Sequence, residues 1–350
     1  MNSFGRLFRV SIFGESHGES VGIVVDGCPA GLPLTVDDFL PDLERRKGGK
    51  QKGTTPRQED DLPIFKSGIF NDKTTGAPIT ILFENKNTRS GDYEKQRAVP
   101  RPGHADFVAK KKFGGFEDYR GSGHFSGRLT VALVAAGVIG KKILSLYNSF
   151  PLKSEVGSGV EVNGGINVTS TILEIGGETD LEKGLQKAID QKDSIGGIVE
   201  CRVTNLPTGL GEPFFDSAES VLSHAVFAIP AVRGIEFGTG FAAAKMFGSQ
   251  HNDAIEDMEG KTTTNHAGGI VGGLTNGNEL VFRIAVKPTS STAKEQHTLN
   301  WETGKTEAVS VKGRHDLCIA LRVPVVLESV TALVLADLFL LEQHSKRVLS

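Results

Sequence analysis

At 350 residues, 38% hydrophobic and 23% charged, the chain is long enough for one large domain or two ordinary ones and has the composition of an ordinary globular protein. A formal net charge of −3 excludes the global positive field that draws a protein to nucleic acid or an anionic membrane. Three widely spaced cysteines, with no C-x-x-C, exclude a disulfide framework and a zinc ribbon.

The opening residues, MNSFGRLFRVSIFG, lack the basic start and long apolar run of a secretory signal, so a cytoplasmic setting is expected. Residues 4–13 read as a strand with Arg6 and Arg9 interleaved. It ends in Gly14-Glu15-Ser16-His17-Gly18, a glycine-bracketed turn that either displays His17 for function or lets it bond its own backbone. A second strand is expected over 21–25. Thr35, with an acid three residues on, reads as the cap of a helix that Pro41 delays or kinks. That helix delivers Arg45, Arg46 and Lys47 to its C-terminal end, where cations suit the dipole. The basic loop beyond it carries Lys50 and Lys52, read as solvated, and Arg57, which with Arg46 suits closure over an anion. Paired strands are expected at 62–70 and 78–83, then irregular chain to residue 100.

Residues 101–128 form the densest stretch: His104, His124, Arg101, Arg120 and Arg128, with Gly121-Ser122-Gly123 leading into an apolar helix over 129–146. Glycines admit close approach of an anion, a helix N-terminus offers free N–H groups, and arginine supplies a planar fork. Histidine adds proton transfer near neutrality. Asp106, two residues from His104, could orient the imidazole, but a helix-capping role is favoured. Further on, Thr179 to Glu182 reads as a capping box for a helix ending near Gly196, and a strand comes next over 197–203. A helix opened by Asp216-Ser217-Ala218-Glu219 and running to about Phe227 carries His224, read as a core histidine. Glycine loops at 265–277 precede a strand over 280–286, which ends in Lys287-Pro288-Thr289-Ser290-Ser291, donors suited to a phosphate or the polar edge of a flavin. Gly313-Arg314-His315-Asp316 precedes the most apolar segment, 323–341, read as a buried helix because Pro324, Glu328 and Asp337 interrupt it. Irregular alternation of strands and helices, without a linker, favours one α+β domain over residues 1–350 rather than a doubly wound sheet. P-loop, Rossmann, nucleophile-elbow and metal-ligand spacings are all incomplete or missing.

The blocks FGESHG (13–18), RPGHAD (101–106), YRGSG (119–123), NHAGGIVGG (265–273), KPTSS (287–291) and GRHDLC (313–318) together closely resemble the chorismate synthase family, in its order and over nearly the whole chain. The resemblance implies a β-α-β sandwich that assembles as a homotetramer. It implies an anti 1,4-elimination of phosphate and a ring proton from 5-enolpyruvylshikimate 3-phosphate, giving chorismate. Reduced FMN is required without net oxidation, and NADPH enters as a possible external reductant. Carried over by motif, His17 would protonate the departing phosphate, His104 would protonate the flavin, and Asp316 would help remove the proton, with Ser16 and Ser126 as relays. Arg46, Arg101, Arg128 and Arg314 would bind the substrate's anionic groups, joined by Arg57 from the basic loop. Flavin contacts would come from His124, Phe125, Ser126, Gly272, Lys287, Pro288, Thr289, Ser290, Ser291 and Arg314, with Arg46 also at the NADP position. The chain departs from the family where R-S-S-A-R is common, having His124-Phe125-Ser126-Gly127-Arg128 instead, and has Leu317 where proline is usual. Lys47 and Lys52 stand where arginines are common, keeping charge but not fork geometry. Competing readings are a flavin reductase that oxidises NADPH without making chorismate, and a polyanion-binding module built on the 45–57 and 101–128 basic clusters.

Overall fold

In the first half of the chain run β1 (Ser3–Phe4), β2 (Arg9–Gly14), β3 (Ser20–Asp26), α1 (Leu40–Arg46), β4 (Ile64–Ser67), the hairpin of β5 (Ile69–Phe70) and β6 (Lys73–Thr74), β7 (Ile79–Glu84), α2 (Asp106–Phe113) and α3 (Thr130–Ser145). The second half adds β8 (Asn167–Ile175), α4 (Leu181–Gln191), β9 (Gly197–Thr204), α5 (Ala218–Val226), β10 (Val232–Phe237) and α6 (Gly248–His251). It continues through the hairpin of β11 (Ile270–Val271) and β12 (Leu274–Thr275), β13 (Leu280–Val286), the hairpin of β14 (Gln296–Asn300) and β15 (Lys305–Val309), and α7 (Val323–His344). The computed structural model describes residues 2–49, 52–55, 57, 59–88, 90–93, 97–146, 165–311 and 315–344.

Among the described residues, the two larger sheets are antiparallel and ordered β1-β2-β3-β7-β4 and β10-β13-β9-β8. Alternation sets their inner faces: Val21, Ile23 and Val25 stand opposite Phe83, Ile81 and Ile79, and all six are fully buried. In the second sheet Leu280, Phe282 and Ile284 meet Val203, Cys201 and Val199 in the same way. Helices α3 and α7, apolar nearly all round, fill the space between; α3 packs on β3 and α7 on β8 and β9. The pair approaches closely because Gly137 has no side chain: a Cβ there would lie 2.2 Å from that of Ser329. Sheet, helix pair and sheet make the expected β-α-β sandwich around one continuous core. Helix α7 is long and apolar enough to cross a membrane, but 89% of its apolar window is buried within the protein.

Several expectations shift for tertiary reasons. The strand expected over 4–13 breaks at 5–8, where the buried Asp337 carboxylate accepts from the backbone N–H groups of Arg6, Leu7 and Phe8 at 2.8–2.9 Å. Pro41 sits in the first turn of a delayed α1, and Asp38 takes the Thr35 N–H at 2.7 Å. At α4, Asp180 rather than Thr179 is the cap, accepting from Lys183 N–H, and the helix stops at Gln191, not near Gly196. His224 is exposed, edge-on to Phe4, and not a core residue. Strands β8 and β10 were not foreseen.

Candidate active site

A cavity of about 410 Å³ opens where the N-terminal turns of α3 and α7 meet the loops that precede them. Its walls come from parts of the chain far apart in sequence and held together by a few bonds. Lys287 Nζ donates to the Gly103 carbonyl at 2.8 Å, and Ser290 Oγ donates to the same oxygen at 2.7 Å. Arg101 Nη1 donates to Ser291 Oγ at 3.1 Å. On the opposite side, the His17 turn docks on the glycine turn, with Ser16 N–H donating to the Gly123 carbonyl at 3.1 Å. His124 secures the same joint, its Nδ1–H donating to the Gly14 carbonyl at 2.8 Å.

One side of the cavity is arranged around a shared carboxylate. Asp61, 3% exposed, accepts from Arg46 at 2.6 Å and from Arg128 in a short ion pair. Burial pushes the Asp61 carboxyl upward, but the two guanidiniums outweigh it and hold its pKa below the usual range. Arg46 also donates to Thr130 Oγ1 at 3.2 Å, while its Nε is buried with no partner among the described residues. Arg57 pairs with Glu59 at 2.7 Å and reaches Ser16 Oγ at 3.2 Å. His17 lies just behind this wall, 8% exposed, edge-on to Tyr93 with ring centroids 5.2 Å apart. Burial lowers its pKa below 6.5 and Arg57 lowers it further. Gly121 makes room for the ring: its φ is +58°, and a Cβ there would fall 2.3 Å from His17 Cδ2.

The opposite side holds His104. Its Nδ1 lies 2.7 Å from Asp106 Oδ1 and its Nε2 lies 3.2 Å from Ser122 Oγ. Arg101 grips Asp106 through Nε at 2.8 Å and Nη2 at 2.7 Å, and Nη2 reaches Ser122 Oγ at 2.9 Å. Asp106 is therefore tied to an arginine and the imidazole rather than to a helix end, which corrects the capping expectation; no side chain caps α2. Its carboxyl titrates far below the ordinary range because Arg101 and His104 overcome the upward push of burial. Ser122 adopts φ +72° between two glycines, a left-handed backbone that costs a non-glycine residue about 1–3 kcal/mol.

The cavity is completed by the start of α7 and the segment before it. Asp316 accepts from the Thr55 N–H at 2.8 Å and from Arg322 at 3.2 Å. Arg322 also donates to the Arg46 carbonyl at 2.9 Å; burial lowers its pKa, and Arg46 lowers it further. Thr289 Oγ1 is a second buried group without a partner on this lining, and burial together with Arg233 lowers the Lys287 ammonium. Among the described residues, no three His, Cys, Asp or Glu side chains are grouped to hold a metal ion.

The family model for chorismate synthase matches residues 8–340. A chorismate synthase from Chitinophaga pinensis is 69% identical, the alignment covering 99% of both chains. The chain belongs to the chorismate synthase family. A member from Methanocaldococcus jannaschii is 42% identical over 97% of this chain and 96% of its own. A crystal structure of chorismate synthase superposes with a TM-score of 0.71 at 26% identity, covering 97% of this chain and 93% of that one. Chorismate synthases are lyases of the shikimate pathway acting on a small-molecule substrate, and this chain is such an enzyme.

Of the residues that the chorismate synthase motifs single out, Arg46, Arg57, Arg101, His104, Phe125, Ser126, Arg128, Lys287 to Ser291 and Asp316 line one cavity. His17 stands against its Gly121 wall, and His124 is spent on the Gly14 carbonyl. Gly272 occupies the turn of the β11–β12 hairpin, away from the cavity lining, and Arg314 lies outside the described residues. Asp61, Tyr93 and Arg322 were missed. An arginine within the apolar run before Pro324 was a signal for Arg322; Asp61 had none, since one acid in Glu59-Asp60-Asp61 looks like another.

Proposed function

We propose that this cavity binds 5-enolpyruvylshikimate 3-phosphate and carries out the anti 1,4-elimination that yields chorismate, with reduced FMN as the cofactor. The observation that carries the reading is the convergence of RPGHAD, KPTSS and the His315-Asp316 pair on one cavity with the Arg46–Asp61–Arg128 cluster. The residues fit both groups. Arg46 Nε and Thr289 Oγ1 are buried polar atoms without partners among the described residues. Two guanidiniums sharing one carboxylate leave positive charge over for an anion.

When bound, reduced flavin supplies the electron density that helps an allylic phosphate depart and a site for the hydrogen, with no net oxidation. Arg46, Arg57 and Arg128 bind the carboxylates and phosphate, with Arg101 buttressing the opposite wall. His17 gives a proton to the departing phosphate. His104 holds the proton destined for the flavin, and Asp316 sits where it can help remove the ring hydrogen. Phe125, Ser126 and the Lys287–Ser291 loop form the flavin's seat. NADPH enters only as an external reductant. A cytoplasmic homotetramer of single-domain subunits is part of the same reading. It is supported by the apolar surface that Phe214, Phe215, Phe241, Phe247 and Met258 leave exposed.

Anaerobic turnover with chemically reduced FMN tests this directly: chorismate and phosphate should appear in equal amounts. NADPH oxidation without chorismate would instead identify a flavin reductase. His17→Ala and His104→Ala should each lower turnover about 10²–10⁴-fold with folding retained. Near-wild-type rates in both would overturn the assignment.

A further inference from the structure

We infer that Asp106 fixes the His104 imidazole with its proton on Nδ1, and that the Ser122 hydroxyl is the group through which Nε2 exchanges a proton with the cavity. Two groups approach Nδ1: Asp106 Oδ1 at 2.7 Å and Arg101 Nη2 at 3.1 Å. A guanidinium can only donate and a carboxylate can only accept, so the two demand opposite states of that nitrogen. The carboxylate is nearer, and a bare Nδ1 at 2.7 Å would set lone pair against anion. Arg101 loses nothing by the choice, because the same Nη2 already donates to Asp106 Oδ1 and to Ser122 Oγ. Nδ1 therefore carries hydrogen, and Nε2 becomes the nitrogen that gains and loses the exchangeable proton.

Ser122 answers Nε2 from 3.2 Å. Arg101 occupies one lone pair of its oxygen, which leaves the hydroxyl hydrogen free to donate to a neutral Nε2. Once Nε2 is protonated, it donates to the remaining lone pair, and the hydroxyl hydrogen turns toward the cavity whose wall Ser122 itself forms. A proton then passes on without residual charge: the Nε2–H bond breaks as a new O–H forms, and the original O–H hydrogen leaves to an acceptor in the cavity. The left-handed backbone at Ser122 is what aims the hydroxyl at both His104 and the cavity. Among the described residues, Arg101, Asp106 and Ser122 are the hydrogen-bond partners of His104. Arg97, Lys110, Glu117, Asp118 and Tyr119 share a smaller cavity of about 90 Å³ on its other side.

Only the consequence for turnover rests on the proposed function, so the tautomer is tested on the ligand-free chain. With ¹⁵N-histidine label, His104 should show a protonated Nδ1 and a bare Nε2 in alkaline buffer. Asp106→Asn should shift the ring toward the commoner Nε2–H form. Ser122→Gly, which relieves the backbone, should keep the Nδ1–H form and move the Nε2 resonance downfield as its hydroxyl donor is lost. In turnover, Ser122→Gly should lower kcat roughly tenfold or more with KM within about twofold. An Nε2–H ring in the wild type, or an Nε2 resonance unmoved by Ser122→Gly, overturns the inference. Absence of chorismate with the tautomer intact would instead overturn the proposed function.

Discussion

Arg45 and Arg46 are consecutive residues in the last turn of α1, yet they belong to two different ion networks. Arg45 turns toward the helix layer, where it grips Glu328 through both nitrogens at 2.7 Å. Glu328 also accepts from Lys141 at 3.1 Å and from the Ser170 N–H at 3.1 Å, and Asp42 binds Arg45 and Lys141 in turn. Two cations meet two carboxylates, and the Arg45 pKa is raised, chiefly by Glu328. Arg46 turns to the cavity, where it and Arg128 share the Asp61 carboxylate and Arg46 Nε has no partner among the described residues. Burial lowers the Arg128 pKa; Asp61 opposes this, and Arg46 adds to it. The closed network fixes a scaffold that joins α1, α3, α7 and β8. The open one leaves two guanidiniums on one carboxylate, an excess of cationic charge that the proposed function assigns to an anionic ligand.

The contrast breaks most readily at Asp61. Asp61→Asn leaves two buried guanidiniums facing each other and should destabilise the ligand-free protein by about 3–5 kcal/mol in denaturant unfolding. Millimolar inorganic phosphate should restore part of that loss, and a phosphate-independent deficit would show that the cluster is merely structural. Next in size, Arg46→Met should lower kcat/KM about 10²–10³-fold with unfolding midpoints little changed. Arg45→Met should do the reverse, costing stability while kcat/KM stays within about threefold. If the two variants behave alike, the division between networks is wrong.

A smaller effect sharpens the comparison electrostatically. Because burial and Arg57 lower the His17 pKa, the ring is neutral at pH 7 in the ligand-free protein. The unfolded chain takes up that proton first on acidification, so this residue's share of stability is present above about pH 6.5 and falls as pH drops below it. A bound phosphate dianion offsets Arg57, so substrate binding near neutrality should take up a proton. Calorimetry in buffers of different ionisation enthalpy reads this, and His17→Gln should abolish it; proton release on binding would exclude His17 as the acid. Smallest of all, Lys47→Ala removes a half-exposed pair with Glu44 at 2.9 Å and should change stability by less than about 1 kcal/mol.

How far the sequence could be read depended on how local each feature was. The helices around 130–145 and 323–344, the strands around 20–26, 79–84, 197–204 and 280–286, and the site blocks were all visible as short patterns. The break after β1 was not, because Asp337 causes it from more than 300 residues away. Asp106 looked like a cap because its partners are set by side-chain direction rather than by spacing. Strands β8 and β10 were missed because β8 opens with polar Asn167, Thr169, Ser170 and Thr171 around a single valine, and β10 is half-buried along most of its length.

By itself, the sequence determined the α+β class, the apolar helix pair and the motif blocks whose residues line the cavity, since periodicity and motif chemistry are written within a few neighbouring positions. Tertiary structure alone decided which cations stay in reserve: Arg46 and Arg45 differ by one position, and only the packing of α1 against α3 and α7 turns one toward Asp61 and the other toward Glu328. Charge balance at a site depends on distances between side chains that the chain brings together last, and no local pattern carries that information.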